Sequence, residues 1–229
     1  MQRADAKYSP LFLSMFALFI TCLLVSNIIA GKLVLIFGQV LPSAVILFPI
    51  TYILGDVFTE VYGFRHTRIV IWTGFAANLL MSLVFLAALA LPHPDFWKNQ
   101  GAYESVLGLT PRIVLASLVA YWVGEFANSI TLSALKKATK GRHLWTRTIS
   151  STVVGQGFDT ALFIGIAFFG SVSVPVLLGM MLAQYLFKVA YEVILTPLTY
   201  VIVARVKAKE GVDTYDAGVV YNPFRIGGT

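Results

Sequence analysis

The sequence predicts an all-α fold, a polytopic bundle of six transmembrane helices with a short extended or hairpin segment between the first two helices. Of its 229 residues, 58% are hydrophobic and 12% are charged, whereas soluble domains average about 45–50% and about 25%. Six apolar runs are long enough to cross a hydrocarbon core of about 30 Å. We therefore expect one integral membrane domain over residues 1–229.

The apolar runs give the predicted spans, near residues 10–30, 42–62, 68–91, 112–135, 149–170 and 175–204. The first run exceeds the core of a signal peptide, roughly 7–15 residues, so it is predicted to be a retained span. Residues 32–41 are too short to cross a membrane, and their β-branched side chains favour a short hairpin. Residues 93–110 are predicted to form an outward loop with a short surface helix, and residues 206–229 a polar cytoplasmic tail.

Loop charges predict that both termini face the cytoplasm. Most Lys and Arg residues lie in the N-terminal segment, in the loops after the second and fourth spans and in the C-terminal tail. The other side of the predicted bundle carries only Lys32, Lys98 and Arg112, and basic residues concentrate on the cytoplasmic side of membrane proteins. The formal net charge of +6 follows from this topology, so we expect membrane lipid as a partner and no nucleic acid.

Charged side chains inside the spans are the strongest functional signal. A charge at the bilayer centre costs roughly 2.5–3.5 kcal/mol on insertion scales, so such residues are functional candidates. The spans contain Asp56, Glu60, Glu125, Asp159, Lys188 and Glu192. This acidic excess requires either protonated carboxylic acids or a solute that is rich in hydrogen-bond donors or positive charge. Both alternatives suit a carrier of small solutes.

The spacing of these residues indicates which helix faces they occupy, because residues three or four apart share a face. Four spans carry a polar stripe of this kind, and the cheapest arrangement turns all four stripes towards one shared cavity. The stripes are Tyr52, Asp56 and Glu60; Tyr121, Glu125 and Asn128; Gln156 and Asp159; and Gln184, Lys188, Glu192 and Thr196.

Structural roles compete with functional ones for several of these charges. Lys188 and Glu192 are four residues apart on one helix and could neutralise each other as an ion pair. Glu60 could lie at the membrane edge and pair with a nearby loop arginine. Glu125 and Asp159 have no basic residue near them in sequence, so a ligand or proton role is favoured for both.

Small and amide residues inside the spans predict packing contacts. Gly157, Ala161 and Gly165 recur at four-residue intervals, and such a ridge permits close helix approach within the bundle or at a homodimer interface. Asn27 and Asn78 are expected to form hydrogen bonds between helices rather than to bind a ligand.

Several chemistries find no support in the sequence. It has no phosphate-binding loop of the G-x-x-x-x-G-K-[ST] type, so ATP hydrolysis by that route is not expected. His66, His93 and His143 lie apart in or near loops, without the spacing of metal ligands. Cys22 is the single cysteine. We expect no cofactor, and an intramembrane enzyme would need a histidine at membrane depth that the spans lack.

The residues of the second span resemble a known signature. The run from Phe48 to Gly63, FPITYILGDVFTEVYG, is similar to the signature of the bacterial queuosine precursor transporter family, also described as a vitamin uptake family. Further similarity lies in residues 155–160, GQGFDT, and residues 188–192, KVAYE. The resemblance extends from about residue 20 to about residue 205.

The resemblance implies a transporter of the bacterial inner membrane that imports 7-cyano-7-deazaguanine and/or 7-aminomethyl-7-deazaguanine for tRNA modification. One carboxylate can accept the adjacent N–H donors of such a purine-like base, as a charge-assisted pair, and an amide can serve its carbonyl oxygen. Tyr52, Phe158 or Tyr191 could stack on the ring. The hypothesis assigns base contacts to Asp159, Glu125 and Gln156, with Asn128 as the second amide, and assigns the rest of the cavity or its gating to Asp56, Lys188 and Glu192.

The main alternative is a substrate-binding subunit of an energy-coupling-factor type vitamin transporter, which resembles this chain in size and number of spans. Those subunits carry an A-x-x-x-A docking pattern on the first helix. Residues 17–21 and 30–34 lack that pattern, which favours a transporter that acts without ATPase partners.

Overall fold

The computed structural model describes residues 8–30, 32–36, 39–108 and 111–224. Its elements in chain order are α1 (Pro10–Ile29), β1 (Leu33–Ile36), β2 (Gln39–Pro42), a 3-10 turn (Ser43–Ile46), α2 (Phe48–Val57), a π-helical segment (Phe58–Tyr62), α3 (Phe64–Ala90), α4 (Gln100–Leu107), α5 (Pro111–Ala138), α6 (Leu144–Phe168) and α7 (Val174–Glu210).

The predicted all-α polytopic bundle is confirmed. In the described part of the chain, α1, α3, α6, α7 and the stretch from α4 to the end of α5 are long and apolar enough to cross a membrane. The predicted hairpin is present, because β1 and β2 pair antiparallel with Leu33 opposite Pro42. The predicted surface helix of the 93–110 loop is α4. We call the end of the bundle with the hairpin and α4 the hairpin side, and the opposite end, where α7 ends, the tail side.

The second predicted span, 42–62, differs from a single helix. Its first residue ends β2, a 3-10 turn follows, and the helical part is α2 continued by the π-helical segment. Pro49 stands at the start of α2, where proline fits but disfavours helix in the residue before it. Gly63 ends the π-helical segment with a φ of +81°. Single π turns inside helices are frequent at functional sites, and this one directly follows Asp56 and Val57.

Helices α5 and α6 make the closest helix contact through two glycines that the sequence analysis did not single out. A Cβ atom on Gly155 would lie 2.7 Å from the Cβ of Asn128 and 2.9 Å from the carbonyl oxygen of Gly124. A Cβ on Gly124 would lie 2.8 Å from the Cβ of Asp159. Only glycine therefore permits this approach, which brings Glu125 of α5 next to α6.

The predicted small-residue ridge packs within the bundle. Gly157 faces Tyr185 and Gly165 faces Met181, both on α7. The ridge therefore serves the contact between α6 and α7. A homodimer stays a prediction, and this ridge no longer supports it.

The segment after α7 folds back onto the tail side of the bundle. Helix α7 continues to Glu210, beyond the predicted start of the tail at residue 206. The amide of Thr214 donates to the carbonyl of Val61 at 3.0 Å. The Asp216 carboxylate accepts from the first amide of α3, that of Phe64, at 2.9 Å. The tail thus supplies a hydrogen-bond acceptor for a backbone amide at the start of α3, where amides have no partner inside the helix.

The last described residues pack between α3 and α5. Arg68 donates to the carbonyl of Asn222 at 2.9 Å, and the Trp72 indole donates to the carbonyl of Pro223 at 2.8 Å. The Phe224 ring lies 5.3 Å from that of Trp122, between centroids. The predicted polar tail is therefore part of the packed structure up to residue 224.

Substituting Gly155 with alanine should lower the melting temperature of the purified protein in detergent. Alanine favours a helix over glycine by about 1 kcal/mol, but overpacking a tight contact typically costs about 1–3 kcal/mol. The matched control is Gly179→Ala on α7, where an added Cβ meets nothing within 4 Å and the melting temperature should hold or rise. Equal effects of the two substitutions would contradict the α5–α6 contact.

Candidate functional site

A cavity of about 190 Å³ lies inside the bundle and extends towards the hairpin side. Ala30, Ala44 and Val114, which stand near the hairpin-side ends of their elements, line its outer part. Pockets for drug-sized ligands have about 300–1,000 Å³, so this cavity suits a smaller solute. Five of the eight predicted site residues line it, namely Tyr52, Glu125, Gln156, Asp159 and Lys188.

The Lys188 ammonium forms an ion pair with the Asp159 carboxylate, joining α7 to α6 at the cavity wall. The alternative pairing of Lys188 with Glu192 along α7 is wrong, because neither oxygen of Glu192 has a hydrogen-bond partner in the described part of the chain. Asp159 has no basic residue near it in sequence, as noted above, but Lys188 reaches it from another helix. Their opposite charges cancel, so the pair adds no net charge to the cavity.

Glu125 contributes a carboxylate whose charge is not cancelled in this way. It lines the cavity, and one of its oxygens would lie 3.7 Å from a Cβ on Gly55, which places it against α2. None of the ion pairs among the described residues includes Glu125. The cavity therefore carries one carboxyl group that lies outside the ion pairs of the described residues, beside a neutral ion pair.

Amide side chains line the same cavity. The Tyr52 hydroxyl lies 3.5 Å from the Oε1 atom of Gln156, a long contact between α2 and α6. The Asn27 amide donates to the Oδ1 atom of Asn78 at 2.8 Å, which links α1 to α3 as the sequence predicted. Both asparagines also line the cavity. The sequence analysis missed this second role, although two amides at membrane depth were a signal for it.

The remaining three predicted site residues do not line the cavity. Asn128 packs against Gly155 in the α5–α6 contact. Asp56 and Glu192 lie one helical turn beyond Tyr52 and Lys188, about 6 Å further along their helices towards the tail side. They are 2% and 1% exposed, so they lie between the cavity and the tail side and not in the cavity itself.

Two of the three aromatic residues that were predicted to stack on the base do not line the cavity. Phe158 is 52% exposed on the surface of the bundle, and the Tyr191 ring packs against Phe187 at 5.6 Å between centroids. Tyr52 does line the cavity, together with Phe19, Tyr121 and Phe163. Helix spacing already argued against Phe158, because residues one or two positions apart, such as Phe158 with Asp159 and Gln156, do not share a helix face.

A network of ion pairs fills the tail side. Glu60 is fully buried and lies 2.8 Å from Arg147, 2.8 Å from Lys207 and 3.6 Å from Lys136. Asp213 of the tail bridges the two lysines at 2.5 Å and 2.9 Å. Burial works against ionisation of Asp213, but its hydrogen bonds to these lysines prevail and lower the pKa of its carboxyl group. The network closes this end of the bundle.

The partners of Glu60 come from further along the chain than the sequence suggested. A structural ion pair was one of its two predicted roles, and the structure supports that role. The arginines next to it in sequence are not the partners, since Arg68 reaches the tail through Asn222. Helices α5, α6 and α7 supply the cations instead.

Comparison with known proteins gives one family and two relatives. The family described as "Putative vitamin uptake transporter" matches residues 42–202. A protein of Bacillus subtilis (strain 168) named "Probable queuosine precursor transporter" is 30% identical over 176 residues, which are 76% of this chain and 77% of the relative. The "Queuosine precursor transporter" of Escherichia coli (strain K12) is 27% identical over 192 residues, 82% of this chain and 83% of the relative. No solved structure matches the chain significantly.

The substitution Glu60→Gln should strongly destabilise the protein. Removing one partner of a buried ion pair typically costs about 3–5 kcal/mol, because the remaining charges stay buried and uncompensated. The melting temperature in detergent measures the effect. Glu104→Gln, a matched change at an exposed carboxylate of α4, should leave it unchanged. An equally small effect of both substitutions would mean that the network does not hold the tail side together.

Proposed function

This chain belongs to the vitamin uptake transporter family, with queuosine precursor transporters among its relatives, and we propose that it imports deazaguanine precursors of queuosine across a bacterial inner membrane. Its family is one of transporters, so the chain is not an enzyme. The substrates proposed are 7-cyano-7-deazaguanine and 7-aminomethyl-7-deazaguanine.

The proposed orientation places the tail side in the cytoplasm. It is supported by the excess of Lys and Arg in the segments of that side, as expected for cytoplasmic loops. Apolar side chains exposed around the helices, such as Leu80, Ile194 and Leu182, then face membrane lipid. With this orientation the cavity extends towards the outside, and the ion-pair network closes the path to the cytoplasm.

The observation that carries the proposal is that the carboxyl group of Glu125, which lies outside the ion pairs of the described residues, lines the same cavity as the amide of Gln156. A guanine-like base presents two adjacent N–H donors, which one carboxylate accepts together in strong charge-assisted hydrogen bonds. The Gln156 amide donates to the carbonyl oxygen of the base. Tyr52 supplies a ring of suitable size for stacking on it.

The ion pair between Lys188 and Asp159 has a different role in this proposal. Its two charges already satisfy each other, so it fixes the distance between α6 and α7 at the cavity. The Asp159 carboxylate keeps a part-exposed edge, 22% of its side chain, which accepts a further donor from the base. Asp159 is therefore a secondary contact, and Glu125 is the main one.

Expression of the chain should restore uptake of radiolabelled 7-aminomethyl-7-deazaguanine in a bacterial host that lacks precursor synthesis and its own transporter. Glu125→Gln should lower the initial rate at limiting base by about 10-fold or more, since hydrogen bonds to a charged group contribute roughly 1.5–3 kcal/mol. Glu104→Gln and Phe158→Ala, both at exposed positions, should transport at the wild-type rate.

Membrane levels of each variant, measured by immunoblot, normalise these rates. No uptake above an empty-vector control would contradict the proposed function. Normal uptake by Glu125→Gln would contradict only the assignment of the main contact.

A further inference from the structure

Two buried carboxyl groups have no role in the proposed base site. Asp56 of α2 and Glu192 of α7 are 2% and 1% exposed. The Oδ2 atom of Asp56 and both oxygens of Glu192 have no hydrogen-bond partner among the described residues. A buried polar group without a partner costs free energy, and a buried charge without one costs far more. These groups therefore need either a ligand or a proton.

The two groups lie close to each other in the bundle. Helix α2 packs against α7, and each carboxyl group lies one helical turn beyond a cavity-lining residue of its helix, Tyr52 on α2 and Lys188 on α7, towards the tail side. Two adjacent carboxylates in a low-dielectric site cannot both be ionised without a large repulsion, and such groups take up and release protons as a pair.

Lys188 and Tyr52, which lie one helical turn from the pair on the same helices, contact other residues of the cavity wall. On α7, Lys188 forms its ion pair with Asp159. On α2, the Tyr52 hydroxyl reaches towards Gln156. None of the ion pairs in the described part of the chain includes Asp56 or Glu192.

The tail-side cations also do not serve the pair. Arg147, Lys207 and Lys136 all lie within 4 Å of Glu60, one helical turn beyond Asp56, and both lysines also pair with Asp213. A metal ion is not favoured, because the described residues contain no group of three or more His, Cys, Asp or Glu that could hold one. A proton is the ligand that two such carboxyl groups can hold unaided.

Both carboxyl groups lie a few residues before a feature that interrupts regular helical hydrogen bonding. Asp56 lies two residues before the π-helical segment that starts at Phe58. Glu192 precedes Pro197, which lies inside α7 and has no amide to donate to the carbonyl of Val193. Helices bend most readily at such points. Gain or loss of a proton here can therefore shift α2 against α7, between the cavity on one side and the ion-pair network on the other.

We propose that Asp56 and Glu192 form the proton-binding pair that couples import of the base to the proton gradient. A proton from the hairpin side binds the pair when the base occupies the cavity, and both are released on the tail side. Each cycle carries one proton with one base, and the pair returns to its starting charge. This inference rests on the proposed function.

The test uses the purified full chain in lipid vesicles with radiolabelled 7-aminomethyl-7-deazaguanine and two assays. The first is accumulation driven by an inside-alkaline pH gradient, and the second is exchange of labelled for unlabelled base without any gradient. The wild type should show both, with at least a severalfold stimulation by the gradient that a protonophore abolishes. A pH-sensitive dye trapped inside should report proton entry when base is added.

Asp56→Asn and Glu192→Gln, which mimic the protonated groups in shape, should lose the stimulation by the pH gradient and keep exchange. The matched controls Asp95→Asn and Glu104→Gln change exposed carboxylates and should retain both activities. The wild-type dye signal needs no variant, so an absence of proton entry overturns the proposal even if a variant does not fold.

The outcomes separate the two claims. No exchange by the wild type would overturn the proposed function itself. Four other outcomes would overturn the proton-binding pair and leave the proposed function standing. Two concern the wild type: exchange without proton entry, and stimulation by a sodium gradient instead of a pH gradient. Two concern the variants: wild-type accumulation by both, or loss of exchange in both when they are folded.

Discussion

An ionised side chain inside a membrane must be neutralised by a partner charge or by a proton, and this constraint determines where the charged residues of the bundle lie. Asp159 is neutralised by Lys188 at the wall of the cavity. Glu60 is neutralised by cations from three helices on the tail side. Glu125 alone faces open cavity space without such a partner among the described residues, so a substrate can satisfy it.

The same constraint gives the bundle two unlike ends. Towards the hairpin side, small and polar side chains leave a cavity that a small planar solute can enter. Towards the tail side, buried ion pairs and the folded-back tail close the structure, with Asp213 and Asp216 each bonded to the bundle. Between them, α2 ends in a π-helical segment and α7 contains Pro197. A carrier needs this arrangement, because access must alternate between two ends that are never open together.

Hydropathy predicted the bundle because a span needs about 20 apolar residues, and a run of that length stays recognisable when it contains a few polar residues. The second span was predicted less well, since hydropathy does not register the irregular backbone before α2, in β2 and the 3-10 turn, or after it, in the π-helical segment. Helix spacing identified the polar faces but not their partners. Lys188 and Glu192 have ideal spacing for a pair, and yet Asp159 from another helix takes the lysine. That choice depends on how α6 packs against α7, a contact made at Gly157 and Gly165.

The assignment of the base site depends on the uncompensated charge of Glu125. Its central consequence is that the cavity should distinguish a cationic base from a neutral one with the same ring edge. The aminomethyl base carries a positive charge and the cyano base does not, while both present the same edge to a carboxylate. A preference based on charge must therefore disappear when that carboxylate becomes an amide.

The most direct test is calorimetric titration of the purified chain with the two bases. Our account predicts one site per chain, tighter binding of the aminomethyl base than of the cyano base, and loss of that difference in Glu125→Gln. Binding of both bases that Glu125→Gln leaves unchanged, or no binding to the wild type, would contradict it.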